Sequence, residues 1–207
     1  MNLNREIRLM ELRLQQTESE EQNYIVEGYA STFDTYKLAT IDGNDYFERI
    51  EPTAFDNADL SDVVFRIDHE GRVYARTSAG SLEVWTDEHG LANRTDLSRT
   101  EKAREIYADI AAGNYPQMSF AFHVADEDYD KKTRTRVIKE IDKVYDVSPV
   151  SFPANPYTEL SVATRDWLDG VIEAEKAERL EREQREIQKQ KIRILLEVAH
   201  GIQNHEH

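Results

Sequence analysis

Apolar and polar positions alternate with a period of two over much of the first 164 residues. That is the signature of strands with one face in a core. Tyr24-Ile25-Val26-Glu27-Gly28-Tyr29-Ala30 reads as one strand, and Val63-Val64-Phe65-Arg66-Ile67 reads as a buried one. Leu82 and Val84, followed by Leu91, Thr95 and Leu97, predict a hairpin turning at Asp87-Glu88-His89-Gly90. Met118, Phe120, Phe122 and Val124 alternate cleanly, and Val137, Ile141 and Tyr145 share a face of another extended segment. A helix is expected from Thr100-Glu101, where Ala103, Ile106, Tyr107 and Ile110 form a stripe at helical spacing and Gly113 is placed to cap the end. Many short strands with few helices imply a mainly β fold of α+β type, with a barrel or sandwich core.

The pattern changes near Thr164. Residues 165–207 are dominated by Glu, Lys, Arg and Gln and read as one long helix from Asp166 to His200. We therefore expect a domain at 1–164 and a charged helical tail at 165–207. Leu180, Ile187 and Ile194 recur at seven residues, but Glu183 or Gln184 and Lys191 occupy the complementary positions, so a coiled-coil seam is weak. A solvated helix and a partner-binding or scaffold-like arm are both compatible with this segment.

Composition narrows the function classes. Lys and Arg number 26 against 41 Asp and Glu, a formal net charge of −15. Nucleic-acid phosphates would be repelled, so no nucleic-acid partner is expected. There is no cysteine, which removes disulfides, thiolate zinc sites and a cysteine nucleophile. No run approaches the apolar length of a membrane span, and Met1 to Gln16 alternates charged and apolar residues instead of forming a secretory signal. A cytoplasmic protein follows as the expectation.

Two residues stand out as candidate chemistry. His69 follows the apolar run Val63–Ile67 and precedes Glu70-Gly71, so it lies at a strand end, where a side chain is held yet accessible. Gly71, Arg72 and Val73 follow His69-Glu70, so the HExxH zinc pattern is absent and no metal is expected. Ser119 lies in Met118-Ser119-Phe120-Ala121-Phe122, on the face opposite the aromatic residues together with Ala121 and His123. A nucleophilic serine needs an imidazole to accept its proton and a third group to orient that imidazole. His123, four residues along the same strand, is roughly 13 Å away, which leaves His69 as the natural base. Glu140, Asp142 and Asp146 share one face at period two, so periodicity offers three orienting carboxylates and does not choose among them.

The order of these motifs resembles a known family. Tyr24 through Asp34 is followed by Glu51-Pro52-Thr53-Ala54-Phe55, Asp68-His69, Gly71 to Ala75-Arg76-Thr77, and Met118-Ser119-Phe120-Ala121-Phe122. Asp146-Val147-Ser148-Pro149-Val150-Ser151-Phe152-Pro153-Ala154 closes the set. From about Ile7 to Thr164 the chain looks like the prohead, or capsid maturation, serine proteases of tailed bacteriophages. It departs from them at Ala121, where glycine is frequent, and at Tyr74-Ala75-Arg76-Thr77, where Leu-Gly-Arg-Thr is frequent.

The resemblance implies a fold similar to the herpesvirus assembly proteases: a closed β-barrel with surrounding helices, here followed by the long C-terminal helix. It implies a serine endopeptidase acting inside the prohead, in the host cytoplasm, on scaffolding segments, the major capsid protein and itself, without a cofactor. By analogy with the related viral enzymes it admits a homodimer. It carries the nucleophile to Ser119, the base to His69 and the orienting acid to Glu140, with Asp142 and Asp146 as alternatives. A competing expectation is a catalytically silent scaffolding or assembly protein that keeps the protease fold.

Overall fold

A computed structural model describes residues 6–11, 24–151 and 162–203. Ten strands appear among them: β1 (Glu6–Glu11), β2 (Ile25–Thr32), β3 (Tyr36–Ile41), β4 (Asn44–Ile50), β5 (Val64–Ile67), β6 (Glu70–Arg76), β7 (Leu82–Thr86), β8 (Gly90–Asp96), β9 (Gln117–Asp130) and β10 (Thr135–Val150). Two α-helices, α1 (Glu101–Ala111) and α2 (Val162–Gln203), complete the set with two short 3-10 turns. The chain forms two compact units, 1–163 and 164–207. In the second unit, α2 continues to Gln203 and exposes Leu180, Ile187 and Ile194 along its length. No helix among the described residues is long and apolar enough to cross a membrane.

The mainly β character agrees with the alternation in the sequence, but the strands do not close into a barrel. They form a seven-stranded sheet in the order β1-β9-β10-β4-β3, to which β5 and β6 attach through β10, and a separate three-stranded sheet β2-β8-β7. The physical reason is that β10 is long enough to serve two hairpins along one edge. The β3–β4 hairpin lies along its first half, with β4 parallel to Thr135–Ile138. The β5–β6 hairpin lies along its second half, with β5 parallel at Asp146 and Val147. The sheet therefore forks at β10, where a barrel would need it to wrap.

The β9–β10 ladder is irregular in a way that decides where side chains point. Its register shifts between Ile138 and Glu140, between Ile141 and Lys143, and between Val144 and Asp146 with one extra residue on β10 each time, and between Glu140 and Ile141 with one extra residue on β9. A bulge moves the following residues to the other face. As a result Ile138, Ile141, Val144 and Val147, three residues apart, all sit fully buried in one core. Phe120 and Phe122 stack there at 4.3 Å between ring centroids, with Phe55 against Phe120.

Local signals account for the smaller elements. Thr100 caps α1 by accepting a hydrogen bond from the Ala103 amide at 3.1 Å. The helix ends at Ala111 with Ala112 in the cap position, and Gly113, expected as the cap, follows one residue later with φ +83°. The β7–β8 hairpin turns at 87–89, and Gly90 must be glycine, since a Cβ there would lie 2.0 Å from the Ser31 carbonyl oxygen. A buried ion cluster ties the first half of β10 to its neighbours. Arg136 donates to Glu48 on β4 at 3.1 Å and to Glu127 on β9 at 2.7 Å, and Tyr36 on β3 donates to Glu48.

Candidate active site

The second half of β10 places two polar side chains on the sheet face opposite the aromatic core. Asp146 pairs with Ala121 and Ser148 pairs with Ser119, so all four point the same way while Val147 and Phe120 point into the core. The sequence places Ser119 on the face away from the aromatic residues, where a small side chain is ordinarily open to solvent. It is instead fully buried, between β1 on one side and β10 on the other.

His69 reaches this face from a tight turn. Ile67 pairs with Glu70, leaving Asp68 and His69 as the two loop residues of the β5–β6 hairpin. Both have positive φ, +48° and +59°, as a two-residue hairpin turn of the mirror-image type requires. Asn-Gly or Asp-Gly would be the ordinary choice, and a histidine there costs on the order of 1–3 kcal/mol. Hydrogen bonds hold the turn, among them the Asp68 amide to the Pro149 carbonyl at 3.0 Å, the Ser151 amide to Asp68 Oδ1 at 2.9 Å, and Arg66 Nη1 to the His69 carbonyl at 3.2 Å. Asp68 supplies a residue type that tolerates positive φ and a carboxylate that ties the turn to the end of β10. Tyr115 lies close enough to feel that carboxylate, and its phenol pKa is raised first by burial and then by the Asp68 charge.

The imidazole of His69 lies between Ser119 and Asp146. Its Nδ1 is 2.6 Å from Asp146 Oδ1 and its Nε2 is 2.7 Å from Ser119 Oγ. A carboxylate only accepts, so Nδ1 carries the proton, and the bare Nε2 accepts from the Ser119 hydroxyl. Asp146 is 1% exposed and also receives the Ser148 hydroxyl on Oδ1 at 2.9 Å.

The three expected carboxylates separate. Asp146 contacts His69. Glu140, to which the resemblance carried the orienting role, pairs with Asp126 six residues earlier on β10, roughly 20 Å back along the strand. The acid on the imidazole is therefore Asp146 and not Glu140. Asp142 is 54% exposed and bonds His123 at 2.7 Å, a second His–Asp pair on the outer part of the sheet, with no serine hydroxyl bonded to it. His89 lies in the β7–β8 turn beside Asp87 and Tyr29. His205 and His207 lie outside the described residues, as does the side chain of His200. Among the described residues no group of three His, Asp or Glu side chains is placed to hold a metal ion. Ser148 carried no signal of its own beyond its place two residues after Asp146.

A serine hydroxyl on imidazole Nε2, with a buried carboxylate on Nδ1, is the arrangement by which serine hydrolases make a hydroxyl nucleophilic. The family model of the caudovirus prohead serine proteases matches residues 10–169, well over half of the 207. The chain belongs to that family, the serine proteases of bacteriophage capsid maturation. No curated protein and no solved structure matches it.

Proposed function

We propose that the chain is a serine endopeptidase that works inside the immature phage shell, with Ser119 as nucleophile, His69 as base and Asp146 as the group that orients it. The continuous hydrogen-bond chain Ser119–His69–Asp146 is the observation that carries this reading. Ser119 Oγ attacks the scissile carbonyl carbon as its proton passes to His69 Nε2. Asp146 stays ionised, keeps the proton of the resting imidazole on Nδ1 and stabilises the imidazolium. His69 then returns the proton to the departing amine, leaving an acyl group on Ser119. A water molecule, deprotonated by the same imidazole, releases it. Nothing in this sequence of steps requires a metal or organic cofactor.

Substrates on this reading are scaffolding segments, the major capsid protein and the protease itself, in a prohead assembled in the host cytoplasm. The likeness to herpesvirus assembly proteases, and with it a homodimer, rests on the sequence motifs alone. The charged helix beyond residue 164 serves to recruit the enzyme into the shell.

Intact masses of wild type and Ser119→Ala after incubation at high concentration test the reading. Discrete fragments from wild type alone are expected. Where neither is cut, co-expression with the cognate capsid protein decides: cleavage by wild type and not by Ser119→Ala upholds the proposal. No cleavage there would leave a silent scaffolding protein as the reading.

A further inference from the structure

We propose that Ser148 is a positioning residue for Asp146, setting the angle at which the carboxylate meets His69; this rests on the proteolytic reading above. Ser148 Oγ donates to Asp146 Oδ1 at 2.9 Å, and that same oxygen lies 2.6 Å from His69 Nδ1. Both residues are at most 1% exposed, so bulk water does not stand in for the hydroxyl. The terminal torsion of an aspartate is broad and nearly two-fold. A donor on the very oxygen that faces the ring bears directly on that torsion.

The backbone around Ser148 is suited to the task. Ser148 is cross-strand to Ser119, so the hydroxyl that steadies the acid and the hydroxyl that attacks stand on neighbouring strands at one level of the sheet. Val147 is locked in the core between Asp146 and Ser148, which fixes the facing of both. Pro149 follows with its φ restricted by the ring, and its carbonyl accepts the Asp68 amide from the histidine turn at 3.0 Å. A hydroxyl whose role was only to be satisfied would serve as well on any buried acceptor. This one bears on the oxygen that determines where the imidazole points.

The test uses a fluorophosphonate, which needs no knowledge of the natural cleavage site. Ser119 Oγ attacks phosphorus, fluoride leaves, the hydroxyl proton passes to His69, and intact mass follows the adduct on the full chain. Saturation kinetics separate the first-order rate from the apparent affinity. Ser148→Ala should lower the first-order rate about tenfold with apparent affinity unchanged, because the hydroxyl contacts the acid and not the reagent. Ser148→Thr, which keeps the hydroxyl, should restore most of the rate. In an Asp146→Ala background, Ser148→Ala should cost less than twofold, since no acid is left to position. A rate for Ser148→Ala within twofold of a reactive wild type would overturn this inference and leave the proteolytic reading standing. Equal losses in the wild-type and Asp146→Ala backgrounds would also overturn it. A wild type inert to the reagent would overturn both.

Discussion

Replacing Asp146 with asparagine removes a charge while keeping nearly the same shape. Asp146 Oδ1 lies 2.6 Å from His69 Nδ1. In the transition state the imidazole becomes a cation, and its charge centre sits roughly 4 Å from that of the carboxylate. At an effective dielectric of about 20 the attraction is about 4 kcal/mol. At about 1.36 kcal/mol per decade this corresponds to a rate loss of roughly a thousandfold. Asparagine adds a second penalty when its NH2 turns toward Nδ1: it then forces the proton onto Nε2, which can no longer accept from Ser119, and the loss approaches about 10⁴. The assay is the fluorophosphonate rate at Ser119, with cleavage of co-expressed capsid protein as the biological readout. Glu140→Gln and Asp142→Asn are the controls, since Glu140 faces Asp126 across the ladder and Asp142 holds His123. Both should stay within about threefold of wild type, because a charge that far from the ring is largely screened. A loss with Glu140→Gln or Asp142→Asn larger than with Asp146→Asn would refute the reasoning.

Other consequences follow from the surrounding structure. Glu48→Ala should destabilise the protein by about 3–5 kcal/mol, because it strips a partner from the buried Arg136; chemical denaturation checks this, and Glu48→Leu with Arg136→Met together should recover most of it. Thr100→Ala should cost about 1 kcal/mol by uncapping α1, a fall in melting temperature of about 2–4 °C for a chain of this size. Asp59 has its pKa held well below the usual carboxylate range, first by the hydrogen bond from Lys143 and then by Ser61. A depressed folded-state pKa means that its contribution is present above the ordinary carboxylate range and is lost as pH falls through the folded value. The melting temperature of wild type should therefore exceed that of Asp59→Asn at neutral pH, with the gap closing in strong acid; a gap that widens there would count against the assignment.

What the sequence revealed of the fold depended on whether alternation survives in the ladder. The hairpin of β7 and β8, the start of β9 and the helix α1 follow simple periods, and the structure has them within a few residues of expectation. The strands β3 and β4 were invisible, because Tyr36–Ile41 and Asn44–Ile50 mix charged and apolar residues on a strand pair whose buried members include Glu48. An internal ion cluster erases the apolar signal that marks a core-facing position. Closure of the sheet was equally out of reach, since the forking of β10 between two parallel hairpins is a long-range pairing with no local signature.

The site divides along the same line. His69 at a strand end and Ser119 on a clean alternation could be named from local pattern, and the structure brings the two within hydrogen-bonding distance. The acid could not, because simple alternation offers Glu140, Asp142 and Asp146 alike on a strand whose buried residues recur every three. Ile138, Ile141, Val144 and Val147 carry that longer period openly in the sequence, and the register shifts between them let the strand bury all four on one side. With that repeat taken as the core, Asp146 and Ser148 flank the last buried residue and must share the opposite face. The extra residue between Val144 and Asp146 is thus what turns the carboxylate toward His69. Deleting Tyr145, the residue accommodated by that shift, would restore simple alternation and leave Asp146 opposite Ala121, on the face of the imidazole. The expected result is a folded protein whose Ser119 reacts far faster than that of Asp146→Asn, and a rate as low as that of Asp146→Asn would refute this reading of the shift.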